Sequence, residues 1–190
     1  IFKGEKEDIE GKINLLENLI KIADNLVIGG AMANTFLFSQ GLDMGKSLLE
    51  KKLVSNAKQI LDNAVHHNTK VILPVDLVCS TELKDIKNID ARKILSNHIA
   101  LDIGNKTLEL IESIILSSKV ILWNGPLGAF ENKPFDKGTN KVAEIIRDNA
   151  LKLNIIAVAG GGDTIAAIKK TNSEKGFTYI STAGGAFLEW

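Results

Sequence analysis

The sequence contains little of what marks several large classes of protein. Its 190 residues include one cysteine, Cys79, which cannot form an internal disulfide and therefore fits a reducing cytosol. Only three prolines accompany a hydrophobic content of 45%, a composition that excludes a disordered or fibrous chain. No apolar run approaches the roughly 20 residues that span a bilayer, and no secretory pattern opens the chain. We therefore expect a soluble, cytoplasmic globular protein of one domain.

An excess of charge of one sign is also missing, since 23 acidic residues balance 23 basic ones. A neutral chain lacks the positive surface that binds nucleic acid or membranes, so we expect neither as a partner. The histidines His66, His67 and His98 are not spaced like zinc ligands, and Cys79 has no neighbouring cysteine. The sequence therefore predicts an exposed helix end for His66 and His67 and a buried structural thiol for Cys79.

Two widespread nucleotide-binding motifs are absent from the sequence. The phosphate loop G-x-x-x-x-G-K-[ST] does not occur, which argues against an ordinary P-loop enzyme. The dinucleotide fingerprint G-x-G-x-x-G is missing too, because an acid, Asp163, follows the three glycines at 160–162. The missing fingerprint argues against a Rossmann dehydrogenase domain.

What the sequence does contain is an alternation of short apolar runs with amphipathic segments. The apolar runs predict strands at 26–28, 71–73, 120–123, 155–159 and 178–180. Apolar residues at helical spacing predict helices at 13–23, 31–38, 53–65 and 107–116, around 142–146, and from 163 to 170. Residues 80–100 are polar and aperiodic, and predict at most a short excursion or hairpin. We infer an α/β fold, a Rossmann-like parallel sheet with helices on both faces in three layers.

Four of these strands, ending near residues 28, 123, 158 and 180, run into glycine-rich turns. The carboxyl ends of parallel strands lie at one edge of the sheet, where ligands bind, so the turns should ring one cleft. Within Ile155–Ile168 a strand, three glycines and a new helix follow one another, and glycine amides at a helix N-terminus favour a phosphate. Asp163 adds a carboxylate of the kind that Mg²⁺ prefers. A plain turn, with Asp163 or Thr164 capping the helix, is the alternative.

Five motifs along the chain carry a further signal, and they are Val27–Ala33, Leu73–Asp76, Trp123–Glu131, Ala159–Thr164 and Ser181–Ala186. Together they resemble the phosphoglycerate kinase family, specifically its carboxy-terminal, nucleotide-binding domain. They occur in the family's order and at its spacings, and they cover nearly the whole chain from about Lys12. A single glycine run is weak evidence, whereas five in register are strong. The ending Ala186–Trp190 resembles the bacterial branch.

The resemblance implies reversible phosphoryl transfer between ATP and 3-phosphoglycerate, or between ADP and 1,3-bisphosphoglycerate, in glycolysis. It implies that Asp163 holds the Mg²⁺ of the nucleotide and that Glu131 binds the ribose hydroxyls. The positions that match phosphate contacts, or lie near the phosphates, are Lys12, Asn124, Gly161, Gly162 and Thr164. The positions that match the adenine slot are Gly30, Ala31, Leu101 and Pro126.

The same resemblance places Gly184 and Gly185 in the glycine turn that approaches the transferring phosphoryl group. Phosphoryl transfer needs positioning and charge neutralisation more than covalent chemistry, so backbone amides, Mg²⁺ and lysines suffice. Taken singly, Glu131 could be an exposed acid, Pro126 a turn former and Asn124 a backbone cap. Within the matched motif the functional interpretation is favoured.

One departure from the family lies just before Lys12. The family has Gly-Gly-x-Lys four residues before a second lysine, and Lys12 matches that second lysine. Counting back four residues gives Asp8, an acid where phosphate charge must be neutralised. Aligning Lys3–Lys6 with Gly-Gly-x-Lys instead keeps a lysine but needs two extra residues before Lys12. Either alignment alters this loop.

The resemblance also implies that residues 1–190 form one nucleotide-binding domain. In the family an amino-terminal domain binds the phosphoglycerate through a basic patch, and that domain is not part of this sequence. The chain begins inside the expected first strand and ends before the family's last segment. We expect it to bind Mg-nucleotide weakly and to transfer no phosphate alone, and we expect a monomer, as is typical of the family. The alternative is a non-catalytic adenine-nucleotide-binding remnant.

Overall fold

The protein, studied as a computed structural model, folds into alternating helices and strands over residues 9–81 and 85–181, the parts that the structure describes. The helices are α1 Ile9–Leu19, α2 Gly30–Ser39, α3 Val54–His66, α4 Asn105–Ser117, α5 Lys137–Asn149 and α6 Gly162–Lys170. The strands are β1 Asn25–Val27, β2 Lys70–Ile72, β3 Asp76–Ser80, β4 Ile86–Asp90, β5 Ile99–Ile103, β6 Val120–Asn124, β7 Ile156–Gly160 and β8 Tyr179–Ser181. Each helix and strand predicted from periodicity is present, with its ends shifted by a few residues.

Two parallel sheets carry the strands that were predicted from continuous apolar runs. In one sheet β1 pairs with β2, which places Leu26 beside Val71. In the other, β6, β7 and β8 pair in that order, with Trp123 beside Ala159 and Ala159 beside Ile180. Helices connect these strands, as parallel pairing requires. The predicted α/β fold with a parallel strand layer between helices is confirmed.

A third sheet is antiparallel, with strand order β4-β3-β5, and was predicted only in part. Val78 on β3 pairs with Asn88 on β4 and with Asp102 on β5. The hairpin that was one of the two predictions for residues 80–100 is present. Strand β5 was not predicted, because Asp102 interrupts its apolar run. Cys79 lies in a small core under this sheet, where burial raises the pKa of its thiol to about 11. The prediction of a buried thiol is confirmed.

The amino-terminal helix begins earlier than predicted. Periodicity placed its start at Ile13, but α1 begins at Ile9. Residues 9–12, which that prediction left outside the helix, therefore form its first turn, and residues 1–8 lie outside the described residues. His66 and His67 are exposed at the end of α3, as expected. Among the described residues, no helix has the length and apolarity needed to cross a membrane.

A groove separates the edge of β1 from the edge of β6. It has a volume of about 560 Å³ and is lined by Leu26 and Ile121 from the strands and by Ile22 and Ile111 from the helical side. Within residues 9–81 and 85–181, no strand pairs with β1 other than β2, or with β6 other than β7. The parallel strands of the described chain thus form two groups rather than one continuous sheet.

Each group of parallel strands has its own hydrophobic core. One core surrounds Trp123 and Ile146 and is built from α4, α5, β6 and β7. The other surrounds Phe36 and Ile60 and is built from α1, β1, α2 and α3. Val27 of β1 packs against the first core, so it is one apolar contact between the two groups.

Candidate functional site

The carboxyl ends of β6, β7 and β8 lie side by side. Asn124 pairs with Gly160, and Gly160 pairs with Ser181, so the turns after these strands begin at one edge. The turn after β1 joins them, because the Gly30 N–H donates to the Leu127 carbonyl at 3.0 Å. The predicted convergence of glycine turns is therefore seen for β1, β6 and β7. The turn after β8, with Gly184 and Gly185, lies outside the described residues.

Backbone geometry explains why glycines begin α6. Gly161 is the N-cap residue and has a φ of 91°, a left-handed conformation that residues with side chains rarely adopt. A Cβ at Gly161 would also lie 2.7 Å from Oδ1 of Asn124. Gly162 differs, because outside its own turn no described atom lies within 4 Å of the place a Cβ would take. This open side, next to the first amides of a helix, suits an anion.

Thr164 connects the turns after β6 and β7. Its hydroxyl oxygen accepts a hydrogen bond from the Gly125 N–H at 2.7 Å, and the side chain is fully buried. Trp123 supports the same turn by donating its indole N–H to the Gly125 carbonyl at 2.8 Å. Thr164, for which the resemblance implied a phosphate contact, therefore also holds the neighbouring turn through its hydroxyl. Thr164 fixes the spacing of the two turns beside the open Gly162.

Asp163 lies in the first turn of α6 and is half-buried. Gly161 occupies the N-cap position, so neither Asp163 nor Thr164 is the cap that the plain-turn alternative required. Mg²⁺ takes oxygen ligands, and usually only one or two come from protein when substrate phosphates and waters supply the rest. A single carboxylate beside an open anion site fits that requirement. Within the described residues, no cluster of three or more His, Cys, Asp or Glu offers a cage made of protein alone.

Residues 125–131 form a loop, here named the β6–α5 loop, that is attached to two further elements. The Leu127 N–H donates to Oγ1 of Thr139 on α5 at 2.9 Å. The Ala129 N–H donates to the Leu101 carbonyl on β5 at 2.7 Å. Gly128 packs so closely on β5 that a Cβ there would lie 2.5 Å from the carbonyl oxygen of Leu101. With the Gly30–Leu127 contact, these bonds join β5, α5 and the turn after β1.

The structure places most of the predicted nucleotide-binding residues around this loop. Gly30, Ala31 and Leu101 are half-buried at its contacts with α2 and β5, and Pro126, within it, is buried. Glu131, at its end, is exposed. Lys12 belongs to α1. The binding roles of all these residues stay predictions, as do those of Gly184 and Gly185.

A buried carboxylate beneath the β6–α5 loop was missed by sequence reasoning. Asp102 is 3% exposed, and it accepts hydrogen bonds from the N–H groups of Gly138 at 2.8 Å and Ile103 at 2.9 Å. Burial raises the pKa of Asp102 to about 7, and repulsion by Asp136 acts in the same direction, against the two hydrogen bonds. An acid within an otherwise apolar strand was the signal that could have identified it.

A second buried carboxylate caps α4. Asp76 accepts hydrogen bonds from the backbone N–H of Thr107 at 2.8 Å and from the side-chain amide of Asn88 at 2.9 Å. Burial by itself raises the pKa of Asp76, but hydrogen bonds from Thr107, Asn88 and Lys106 outweigh it and lower the pKa below its usual value. No hydrogen bond joins Asp76 to the β6–α5 loop in the described part of the chain.

Fold and site together define an α/β protein with a candidate ligand site at the carboxyl edge of its parallel strands. The chain belongs to the phosphoglycerate kinase family, which matches it over residues 1–190. A phosphoglycerate kinase of Sinorhizobium medicae is 46% identical over 185 residues, which are 96% of this chain and 46% of that protein. One of Syntrophobacter fumaroxidans is 44% identical over 184 residues, covering 95% of this chain and 45% of that protein.

Solved structures agree with this assignment. Phosphoglycerate kinase from Coxiella burnetii superposes with a TM-score of 0.91 at 37% identity, over 98% of this chain and 47% of that one. Phosphoglycerate kinase from Pyrococcus horikoshii superposes with a TM-score of 0.82 at 33% identity, over 98% of this chain and 46% of that one. The resemblance stated from the motifs is confirmed. The chain spans about half the length of the curated relatives it matches.

Proposed function

We propose that this chain supplies the Mg-nucleotide-binding half of a phosphoglycerate kinase. The complete enzyme would transfer a phosphoryl group reversibly between ATP and 3-phosphoglycerate, or between ADP and 1,3-bisphosphoglycerate. The observation that carries the proposal is the junction of the β6 and β7 turns, where Thr164 holds Gly125 beside the open Gly162. Membership of the family supports the choice of this reaction.

In the proposed site the amides that begin α6 bind the nucleotide phosphates at Gly161 and Gly162. Asp163 holds the Mg²⁺, which, when bound, neutralises charge on the phosphate oxygens. Glu131 accepts hydrogen bonds from the ribose hydroxyls. The adenine lies between the turn after β1 and the β6–α5 loop, against Gly30, Ala31, Leu101 and Pro126. Lys12, Asn124 and the glycine pair Gly184 and Gly185 complete the phosphate side.

The acceptor half of the reaction belongs elsewhere in this proposal. A separate domain of the complete protein binds 3-phosphoglycerate, so the described site supplies only the phosphoryl donor. The complete protein acts in the cytoplasm as a glycolytic enzyme and as a monomer. Neither nucleic acid nor a membrane is a proposed partner, which agrees with the balanced charge.

Calorimetric titration of the chain with ADP, with and without Mg²⁺, tests the proposed site. Asp163→Asn should weaken Mg-ADP binding far more than metal-free ADP binding, because only the metal complex needs the carboxylate charge. Asp62→Asn, on the exposed side of α3, is the matched control and should change neither. If Asp163→Asn weakened the binding of Mg-ADP and of metal-free ADP equally, the proposed Mg²⁺ role of Asp163 would be wrong. Competition by NAD as strong as that by ADP would instead favour a dehydrogenase domain.

A coupled enzyme assay tests whether this chain needs a second domain for phosphoryl transfer. The chain alone should show no turnover of ATP with 3-phosphoglycerate, and turnover by the chain alone would contradict the proposal. Addition of the amino-terminal half of a related phosphoglycerate kinase should restore activity if the nucleotide half is competent. Binding of Mg-ADP without any restored activity would favour the alternative, a non-catalytic nucleotide-binding remnant.

A further inference from the structure

Two adjacent residues of α5 connect the buried Asp102 to the β6–α5 loop. Oδ2 of Asp102 accepts the N–H of Gly138 at 2.8 Å. The next residue, Thr139, accepts the N–H of Leu127 through its hydroxyl at 2.9 Å. Asp102 and Thr139 are both buried, so water does not compete for either bond. The carboxylate therefore constrains Leu127 through a single turn of helix.

The loop also rests directly on the same carboxylate. A Cβ at Gly128 would lie 2.5 Å from Oδ1 of Asp102, and one at Gly138 would lie 2.6 Å from it. Both glycines are needed because the loop and the helix approach the acid so closely. Leu101, which precedes Asp102, holds the other side of the loop through its bond to Ala129.

We infer that Asp102 is a positioning residue for the nucleotide site, because it sets the place of the β6–α5 loop against β5 and α5. The inference rests on the proposed function, in which this loop forms one wall of the adenine slot. Leu127 transmits the constraint to the opposite wall, since its carbonyl accepts the N–H of Gly30 at 3.0 Å. A small displacement of such a wall weakens binding without removing a direct contact to the ligand.

The protonation state of Asp102 controls the two bonds that it accepts. As a carboxylate it accepts both N–H groups, and it lies at the N-terminus of α5, where negative charge is favoured. A protonated Asp102 would carry a proton on one of its two oxygens and lose its charge, which weakens the hydrogen bonds that it accepts from both N–H groups. Burial raises the pKa of Asp102 to about 7, so both states occur near neutral pH. The loop should therefore shift with the titration of this one residue.

The charges around Asp102 come from several elements. Asp136 repels it and is itself paired with Lys170 of α6 at 2.7 Å. A cavity of about 570 Å³ lies beside Asp102. The other charged groups along the cavity that Asp102 lines are Lys137, Lys141 and Glu144 of α5.

The test compares Asp102→Asn with Asp76→Asn in the full chain. The two acids are matched, because each is buried and each accepts a backbone N–H in the first turn of a helix, but only Asp102 contacts the loop. Amide chemical shifts of Leu127, Gly128 and Ala129 are followed by NMR from about pH 5.5 to about pH 8.5, a range that brackets the pKa. The affinity for Mg-ADP is measured by calorimetry over the same range.

In the unaltered protein the three loop amides should titrate together near pH 7, as Asp102 does. Asp102→Asn should abolish this titration and weaken Mg-ADP binding roughly tenfold, the effect of one misplaced hydrogen-bonding unit. Asp76→Asn should leave the titration of the loop amides in place. It should change the affinity for Mg-ADP by no more than about twofold, which corresponds to under half a kcal/mol. Loop amides that do not titrate in the unaltered protein, or an equal response to Asp76→Asn, would overturn the inference.

Thr139→Val provides a second variant, for use if Asp102→Asn does not fold. It removes the acceptor of the Leu127 N–H and should move the loop amides, whereas Thr139→Ser should not. An unmoved loop in Thr139→Val would also overturn the inference. If the unaltered chain binds no Mg-ADP, the proposed function fails, while the amide titration still decides the role of Asp102.

Discussion

Asp76 and Thr107 hold each other by hydrogen bonds in both directions. The Thr107 N–H and hydroxyl both reach Oδ1 of Asp76, at 2.8 and 2.7 Å. The same hydroxyl oxygen lies 3.0 Å from the N–H of Val75 and 3.1 Å from that of Asp76, and accepts from both. This buried pair therefore provides hydrogen-bond acceptors for backbone N–H groups both at the start of β3 and in the first turn of α4.

Thr107→Val should destabilise the protein through this pair. The substitution keeps the shape of the side chain but leaves two backbone N–H groups without their acceptor, each at a cost of about 1–3 kcal/mol. Urea unfolding followed by circular dichroism should show a lower midpoint with an unchanged slope. Thr107→Ser, which keeps the hydroxyl, should lose much less, and an equal loss in both variants would contradict the assigned hydrogen bonds.

Asp76 should make the protein sensitive to acid. Its pKa is lowered on folding, so its contribution to the free energy of unfolding is complete above the unfolded pKa of 3.8. That contribution is lost as pH falls through the lower pKa of the folded state. Asp76→Asn should be less stable than the unaltered protein above about pH 4, and the difference should shrink in stronger acid. Urea titrations at a series of acid pH values measure it.

Asp102 should have the opposite effect on how the free energy of unfolding depends on pH. Its pKa rises from 3.8 to about 7 on folding, so the folded state binds the extra proton between these values. The free energy of unfolding should therefore fall as pH rises from about 4 to about 7, by at most about 1.4 kcal/mol per pH unit. Asp102→Asn should remove this decline. A variant with the same pH profile as the unaltered protein would show that another group is responsible.

Thr164→Val should affect both stability and nucleotide binding. It removes the acceptor of the Gly125 N–H, which costs about 1–3 kcal/mol, and frees the turn after β6 from the turn after β7. Mg-ADP affinity should fall in the folded protein, as measured by calorimetry at a temperature where the variant remains folded. Thr164→Ser serves as the control and should keep most of both properties.

Gly162→Ala should lower the affinity for nucleotide without lowering the stability of the protein. Outside the turn of Gly162 itself, no atom of residues 9–81 and 85–181 lies within 4 Å of the new methyl group, and alanine is the better helix former by about 1 kcal/mol, so stability should hold or rise. The methyl would project into the space proposed for phosphate, so nucleotide affinity should fall by roughly tenfold or more. Gly176→Ala gives the converse, because its Cβ would collide with the backbone of Arg147 and lower stability. Unchanged affinity in Gly162→Ala would move the phosphate site elsewhere.

The parallel strands could be predicted from the sequence because their signal is local. Val120–Trp123 and Ile155–Ala159 are continuous apolar runs, and such runs are typical of strands covered by helices on both faces. The glycines that follow them marked the carboxyl edge for the same reason. Asp163 could be singled out because it directly follows the glycines at the start of a helix.

The antiparallel sheet and its acids could not be predicted in this way. Asn88 lies in a strand whose polar residues resemble a loop, whereas Asp102 interrupts the apolar run of β5. Both residues pair with Val78 through tertiary contacts. Gly138, which donates to Asp102, and Thr107, which donates to Asp76, lie 36 and 31 residues away in the sequence, so no local pattern reveals these hydrogen bonds.

The groove between β1 and β6 has a consequence for cooperativity. The two groups of parallel strands have separate cores, and the hydrogen bond from Gly30 to Leu127 is one of the links between them. Regions joined by few contacts can open independently. A nucleotide bound across the turns after β1, β6 and β7 would contact both groups and stabilise only the state in which both are folded. The bound nucleotide would then couple the two groups, so that they unfold in one cooperative transition instead of two.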